Sequence, residues 1–188
     1  MKCVSPINIK DPRKLRAGLR LTVPCGKCGA CKSNRRAEWS FRLGEEFENS
    51  KNGRFLTLTY SDENITYGDL PSLNKRDLQL FFKRLRKASA KICNWRIRYY
   101  AVGEYGTDTE RPHYHALVFN LHPDLWDRID SIWGLGHVVV GDVTDKSIHY
   151  TTKYHVNYDK GASKDKGRAP EFATMSGAGK TAGGIGYQ

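Results

Sequence analysis

The chain has no apolar run near the roughly 18 residues that a membrane-spanning helix needs, and its start, Met1 to Lys10, has no apolar core of the kind that directs secretion. Read alone, these absences exclude a spanning or exported protein and predict a soluble one that stays where it is made. No internal repeat is visible, so 188 residues hold one core plus an appended piece. Acidic side chains are scarce: 20 Asp and Glu against 31 Lys and Arg leave a net charge of +11, which points to a polyanionic partner. Cysteines are few and odd in number, namely Cys3, Cys25, Cys28, Cys31 and Cys93. Without a signal peptide, that argues against a disulfide framework and for a reducing cytosol and a metal site. Aromatics are not lacking: at 11%, within 39% apolar residues overall, they exclude a disordered, collagen-like or fibrous chain.

The excess charge is uneven. Residues 1–54 carry a net +8, whereas residues 113–158 carry a net −2. Three regions follow from composition: a cysteine-rich lobe over 1–32, a central domain over 33–158, and a Gly-rich tail over 159–188 with no period, expected to be mobile and to belong to a longer protein. In the central domain, Trp39, Leu43 and Phe47, widened by Phe41, predict a helix from Ser33 to about Glu48. Phe55 to Tyr60 reads as a strand. Asn74 caps a helix whose inner face is Leu78, Phe81, Phe82 and Leu85. Ile97 to Gly103 and His113 to Phe119 form a hairpin, Pro123 to Trp133 is helical, Val138 to Val140 is a buried strand, and Asp145 caps a last helix to about Tyr158. The fold class is therefore α+β, with a mainly antiparallel central sheet flanked by helices and an N-terminal cysteine-containing lobe.

His113 and His115 lie two apart on a strand, so both imidazoles project from one face and can grip a divalent ion. Two exposed edge histidines would look the same in sequence. Glu104 distinguishes the readings, because it ends the partner strand and a hairpin returns its carboxylate to the histidines. Two imidazoles and a carboxylate leave coordination positions open, as a catalytic metal requires. Tyr150 and Tyr154 stand four apart on one helix face with Lys153 beside them, an arrangement suited to covalent catalysis. The alternative is that both rings are core, against which stands the polarity of Thr151, Thr152 and His155.

The stretches FLTLT (Phe55 to Thr59), GEYG…RPHYH (Gly103 to His115) and YTTKY (Tyr150 to Tyr154), in that order, resemble the three motifs of HUH endonucleases that initiate rolling-circle replication. With PCGKCGAC from Pro24 to Cys31, they look like the replication initiator of gokushovirus-type microviruses, small single-stranded DNA phages. The resemblance covers the chain and implies an HUH/Rep-like, ferredoxin-like variant fold. It implies Mg²⁺ or Mn²⁺ on Glu104, His113 and His115, with Tyr150 and Tyr154 as nucleophiles. It also implies single-stranded origin DNA as substrate, a host helicase or polymerase as partner, and action in the cytoplasm of a bacterial host. In this family a lysine often follows a nucleophilic tyrosine by three positions; Lys153 does so for Tyr150, but Asn157 stands there after Tyr154.

Cys25, Cys28 and Cys31 bring three thiols within seven residues, and Cys3 is the natural fourth for a structural Zn²⁺. The cysteine-proline ending of bacterial ferredoxins is missing, and free buried thiols fit Cys93 better than a glycine-flanked cluster. Arg35, Arg36, Arg42, Lys83, Arg84, Arg86 and Lys87 are candidate phosphate contacts, or else a solvated helix face. Gly177 to Thr181 mimics a phosphate loop, but Thr174 replaces the required first glycine and no strand precedes it, so an NTP site is rejected. Rival readings are a non-catalytic zinc-containing nucleic-acid-binding module, a related relaxase or transposase, and a metallophosphodiesterase that uses water.

Overall fold

The computed structural model describes residues 1–10, 20–65, 71–157, 167–177 and 184–186; the side chains of 154–157 lie outside the described set. Two strands, β1 (Ile7–Lys10) and β2 (Arg20–Val23), form an antiparallel hairpin. Then follow α1 (Gly29–Glu48), β3 (Gly53–Thr59), α2 (Lys75–Ser89), β4 (Arg98–Tyr105), β5 (Pro112–Phe119), a 3₁₀ turn (Pro123–Arg128), α3 (Ile129–Trp133), β6 (Val138–Asp142), α4 (Asp145–Asn157) and β7 (Phe172–Met175). The order β6-β3-β5-β4-β7 makes one five-stranded sheet in which every pair is antiparallel, so the fold is α+β. Among the described residues no helix is long and apolar enough to cross a membrane.

Strand side chains alternate between faces, and the two faces here are built differently. On one, Leu56, Leu58, Tyr99, Ala101, Tyr114, Ala116 and Val118 meet Leu78, Phe81, Phe82 and Leu85 of α2 and Trp133 of α3. Phe82 stacks on Tyr99 with ring centroids 3.5 Å apart, and the Trp133 indole N–H donates to the carbonyl of Thr59 at 2.8 Å. Asn74 caps α2 by accepting the Arg76 N–H, and Gly134, left-handed at φ 64°, ends α3. On the other face, Tyr100, Val102, Leu117 and Phe119 are covered by Leu43 of α1 and Ile148 of α4.

Several expectations need correction. α1 starts at Gly29, not Ser33, and Phe41 is 68% exposed because it points away from the sheet-facing stripe of Trp39, Leu43 and Phe47. Val138 to Val140 is an edge strand paired only with β3, leaving Val139 66% exposed. α4 is capped by Thr144, whose hydroxyl accepts the Ser147 N–H while Ser147 Oγ accepts the Thr144 N–H; Asp145 is the first helical residue. Within the segment expected to be a tail, Phe172–Met175 supplies the edge strand β7 beside β4, and Ile185 is fully buried. Ile185 is held there by a buried Glu46–Arg98 ion pair: Glu46 accepts the Gly186 N–H, Arg98 donates to Gly184 O, and Arg42 donates to Ile185 O. Residues 158–166, 178–183 and 187–188, including the expected end of the last helix at Tyr158 and most of the loop resembling a phosphate-binding motif, lie outside the described residues.

Candidate active site

The β4–β5 register sets Glu104 directly opposite His113, with Val102 opposite His115. Alternation along β5 then sends Tyr114 into the α2 face and both histidines to the α4 face. Glu104 Oε1 lies 3.0 Å from His113 Nε2 and 2.8 Å from His115 Nε2, and the three ligand atoms all fall within 4.8 Å of one another. The sequence-predicted triad is thus brought together by strand pairing alone.

Each group is oriented from behind. His113 Nδ1 lies 3.1 Å from the Arg111 carbonyl, an acceptor, so Nδ1 carries the proton and Nε2 presents its lone pair to the centre. His115 Nδ1 lies 3.0 Å from Thr57 Oγ1, and the Phe55 ring stacks on His115 with centroids 5.4 Å apart at 8°. Glu104 is 1% exposed. Burial by itself would push its carboxyl up, but the two histidines hold it down at about 2, so it is a carboxylate. Burial lowers the His113 pKa, yet the same carboxylate outweighs this and raises it. Glu104 Oε2 is buried with no hydrogen-bond partner, an uncompensated anionic oxygen beside two imidazoles. A carboxylate oxygen without a donor and two neutral ring nitrogens form the donor set that a divalent cation satisfies.

α4 brings Tyr150 to this centre. Its inward face is Ser147, Ile148, Thr151 and Thr152, all buried, whose small side chains allow close approach to the sheet. The two threonine hydroxyls donate to the carbonyls of Ser147 and Ile148 on their own helix, so no polar group is stranded. Tyr150 O–H donates to Glu104 Oε1 at 3.1 Å and lies 3.4 Å from His115 Nε2, while its ring is 39% exposed. Tyr114, between the two histidines, is unsuited to attack: it is fully buried, held by Tyr60 and Asn74, and its phenol is pushed up to about 12 by burial. Lys153 is exposed on α4. The Tyr154 side chain lies outside the described set.

The candidate phosphate contacts divide. α1 shares the sheet face of the triad and braces α4: Arg36 donates to the carbonyl of His149 at 3.2 Å, and Ser40 Oγ lies 3.1 Å from Thr152 Oγ1. Arg42 lies over Trp39 and holds Ile185, and Arg35 is exposed near Gly26. α2 covers the opposite face, so Lys83, Arg84, Arg86 and Lys87 are not brought to the triad; Arg84 donates to the carbonyls of Ile132 and Trp133, and Arg86 sits over Tyr99. Thr57 and Phe55 were legible only as strand residues, because their role depends on which neighbour β3 takes.

At the N-terminal end, Cys3, Cys25, Cys28 and Cys31 also have sulfurs all within 4.8 Å of one another, and none is disulfide-bonded. Backbone N–H groups of Lys27 and Cys28 hold Cys25 below the usual thiol range, and those of Cys31 and Val4 bring Cys28 to about 6. The Gly26 N–H favours a thiolate at Cys31, but burial and the three neighbouring sulfurs outweigh it and push Cys31 up to about 12.

Comparison with known proteins follows the same core. Replication-associated protein ORF2 of Spiroplasma virus 4 is 38% identical over 151 residues, 71% of this chain and 47% of that protein. Replication-associated protein VP4 of Bdellovibrio phage phiMH2K is 30% identical over 183 residues, 82% of this chain and 57% of that protein. Replication-associated protein ORF4 of Chlamydia phage 1 is 26% identical over 151 residues, covering 70% and 37%. The chain therefore spans about half the length of the first two relatives. No solved structure gives a significant match. The family model for replication-associated protein ORF2 matches residues 53–159, from the first residue of β3 to just past α4, and the resemblance read from the motifs is borne out: the chain belongs to the replication-associated protein ORF2 family.

Proposed function

We propose that this chain is a rolling-circle replication initiator that nicks single-stranded origin DNA by tyrosine attack and rejoins ends to finish the circle. The observation that carries the reading is one carboxylate oxygen, Glu104 Oε1, within 3.1 Å of both histidine Nε2 atoms and the Tyr150 hydroxyl. A nucleophile and a metal-ligand set sharing one oxygen make a phosphoryl-transfer site rather than a passive DNA-binding surface. The names of the relatives, all replication-associated proteins, support the same reading.

Mg²⁺ or Mn²⁺ held by Glu104, His113 and His115 would supply Lewis-acid polarisation of the scissile phosphate. The residues of the chain do the rest. His113 and His115 are fixed by Arg111 O and Thr57, so the donor set meets the phosphate without reorganising. The Tyr150 oxygen attacks phosphorus in line and gives up its proton; the 3′ oxygen leaves and is protonated to a 3′-OH that a polymerase can extend. A 5′-phosphotyrosyl link remains. An unperturbed phenol has a pKa of about 10, so the positive charge of Lys153, three residues on, assists by favouring the phenolate and steadying charge on the phosphate. Tyr154, one turn later, is the second nucleophile, which would cut the next origin copy while the first strand is still attached. Proteins of this kind act in the cytoplasm of a bacterial host beside its helicase or polymerase.

The test is an origin oligonucleotide incubated with Mn²⁺ and wild type, Tyr150→Phe, Tyr154→Phe and the double variant, resolved under denaturing conditions. Wild type should give a covalent protein–DNA band and the double variant none. A full adduct yield in the double variant would overturn the proposal, and hydrolysis without any adduct in wild type would indicate water as nucleophile.

A further inference from the structure

We propose that Cys3, Cys25, Cys28 and Cys31 bind one structural Zn²⁺ ion that fastens the β1–β2 hairpin to the first turn of α1. Geometry leads. Four thiolates at about 2.3 Å from a tetrahedral ion stand about 3.8 Å from each other. Cys28 Sγ lies 3.8 Å from Cys3 Sγ, Cys3 Sγ lies 3.5 Å from Cys25 Sγ, and all four sulfurs fall within 4.8 Å of one another. A disulfide would bring only two of them to about 2.05 Å and would leave the other two unexplained. The backbone adds the contacts that metal-bound sulfur accepts: Cys25 N–H donates to Cys3 Sγ at 3.3 Å and Cys28 N–H to Cys25 Sγ at 3.4 Å. Gly26 makes the tight return possible with φ +74°, a conformation that residues with a Cβ rarely take.

The second line of argument is what the hairpin lacks. All four residues of β1 are exposed, Ile7 at 48% and Ile9 at 37%, and no residue of β2 is buried. A two-stranded ribbon without a buried face is marginal in water and needs another tie. Direct hydrogen bonds supply one, between Asn34 Nδ2 and the Met1 carbonyl at 2.8 Å. The sulfurs supply the other. Cys3 precedes β1, Cys25 and Cys28 follow β2, and Cys31 is buried in the first turn of α1, so one ion would join three separate stretches of backbone at the base of the ribbon. This site is closed, all sulfur, and structural in character; the Glu104 centre has two nitrogens and an oxygen and leaves positions open. α1 packs against α4, so a fixed α1 start also steadies the helix that carries Tyr150.

The test is metal content of the whole chain, purified reduced from zinc-supplemented medium, by elemental analysis and native mass spectrometry. About one zinc per chain is expected, falling at least about tenfold in a Cys25→Ser/Cys28→Ser variant and unchanged in His115→Ala. Cobalt substituted for zinc should give the intense thiolate-to-metal absorption of a tetrahedral all-sulfur site. Because the cysteine variant could fail to fold, wild type is also read by limited proteolysis: stripping the zinc should speed cleavage between residues 1 and 28 about tenfold and spare the sheet domain. Zinc absent from reduced wild type, zinc retained without Cys25 and Cys28, iron and sulfide in its place, or cleavage unaffected by stripping would each overturn the proposal.

Discussion

One sheet carries two faces with opposite assignments, and β5 shows the contrast within eight residues. Its Tyr114, Ala116 and Val118 enter a dry core with Phe81, Phe82 and Trp133, while His113 and His115 look out beneath α4 beside Leu117 and Phe119. The α2 face is continuous hydrocarbon and aromatic. The α4 face is apolar at one end, around Tyr100, Leu117 and Phe119, and polar at the other, around Glu104, His113, His115 and Tyr150. Rigidity comes from the first face and chemistry from the second. An orphaned carboxylate oxygen and a half-exposed phenol are costly features, tolerated because the opposite side of the same strands is so well packed.

Substitutions on the two faces should therefore separate chemistry from stability. Tyr150→Phe removes the attacking oxygen without opening a cavity, so covalent adduct should fall by about 10³-fold or more with the melting temperature nearly unchanged. Phe81→Ala should do the reverse. A fully buried ring is lost, at a cost of about 3–5 kcal/mol in denaturant unfolding, while nicking by the fraction still folded keeps its wild-type rate. A large rate loss at full folding would mean that the two faces are coupled.

Thr57→Val is a finer probe. It keeps the shape beside His115 but deletes the hydroxyl that contacts Nδ1, so the Mn²⁺ concentration for half-maximal nicking should rise about 10–100-fold with a small change in stability. Titrating nicking against Mn²⁺ measures it; an unchanged midpoint with a lower plateau would assign Thr57 to something other than ligand orientation.

The smallest expected effect concerns acid. In the metal-free chain, Glu104 titrates at about 2, below its ordinary 4.5. A carboxylate with a depressed folded pKa stabilises the fold fully above the ordinary value, and that contribution is lost as pH falls toward the folded one. Unfolding in EDTA should thus show a stability decline between about pH 4.5 and 2 that Glu104→Gln flattens, with little difference between the two proteins at pH 7 in its slope. An identical acid limb in both would show that the two histidines do not hold the carboxylate.

Much of the site was legible because its spacing is local. His113 and His115 share a face by strand alternation, Glu104 returns by a short hairpin, and Tyr150 follows a helix signature. Asn74 was readable as a cap for the same reason. What escaped depends on long-range neighbours. Val138 to Val140 has the pattern of a buried strand but sits at an edge, because nothing beyond it covers the sheet among the described residues. β7 was missed since FATM carries no period long enough to register, and its pairing partner β4 lies far earlier in the chain. The basic faces of α1 and α2 look alike in sequence, yet the chain passes them to opposite sides of the sheet, and several of their arginines hold backbone carbonyls.

By itself the sequence determined the α+β class, the ligand triad, the tyrosine helix and the cysteine cluster, since each is written in spacings of two to nine residues or in residue chemistry. Only the tertiary structure decided that the Tyr150 hydroxyl shares a single oxygen with both histidines, that Thr57 and Phe55 back His115, and that Cys3 joins three thiols more than 20 residues away. Those contacts exist because strand pairing and helix packing bring distant segments to within a few ångströms. No local pattern records such a meeting.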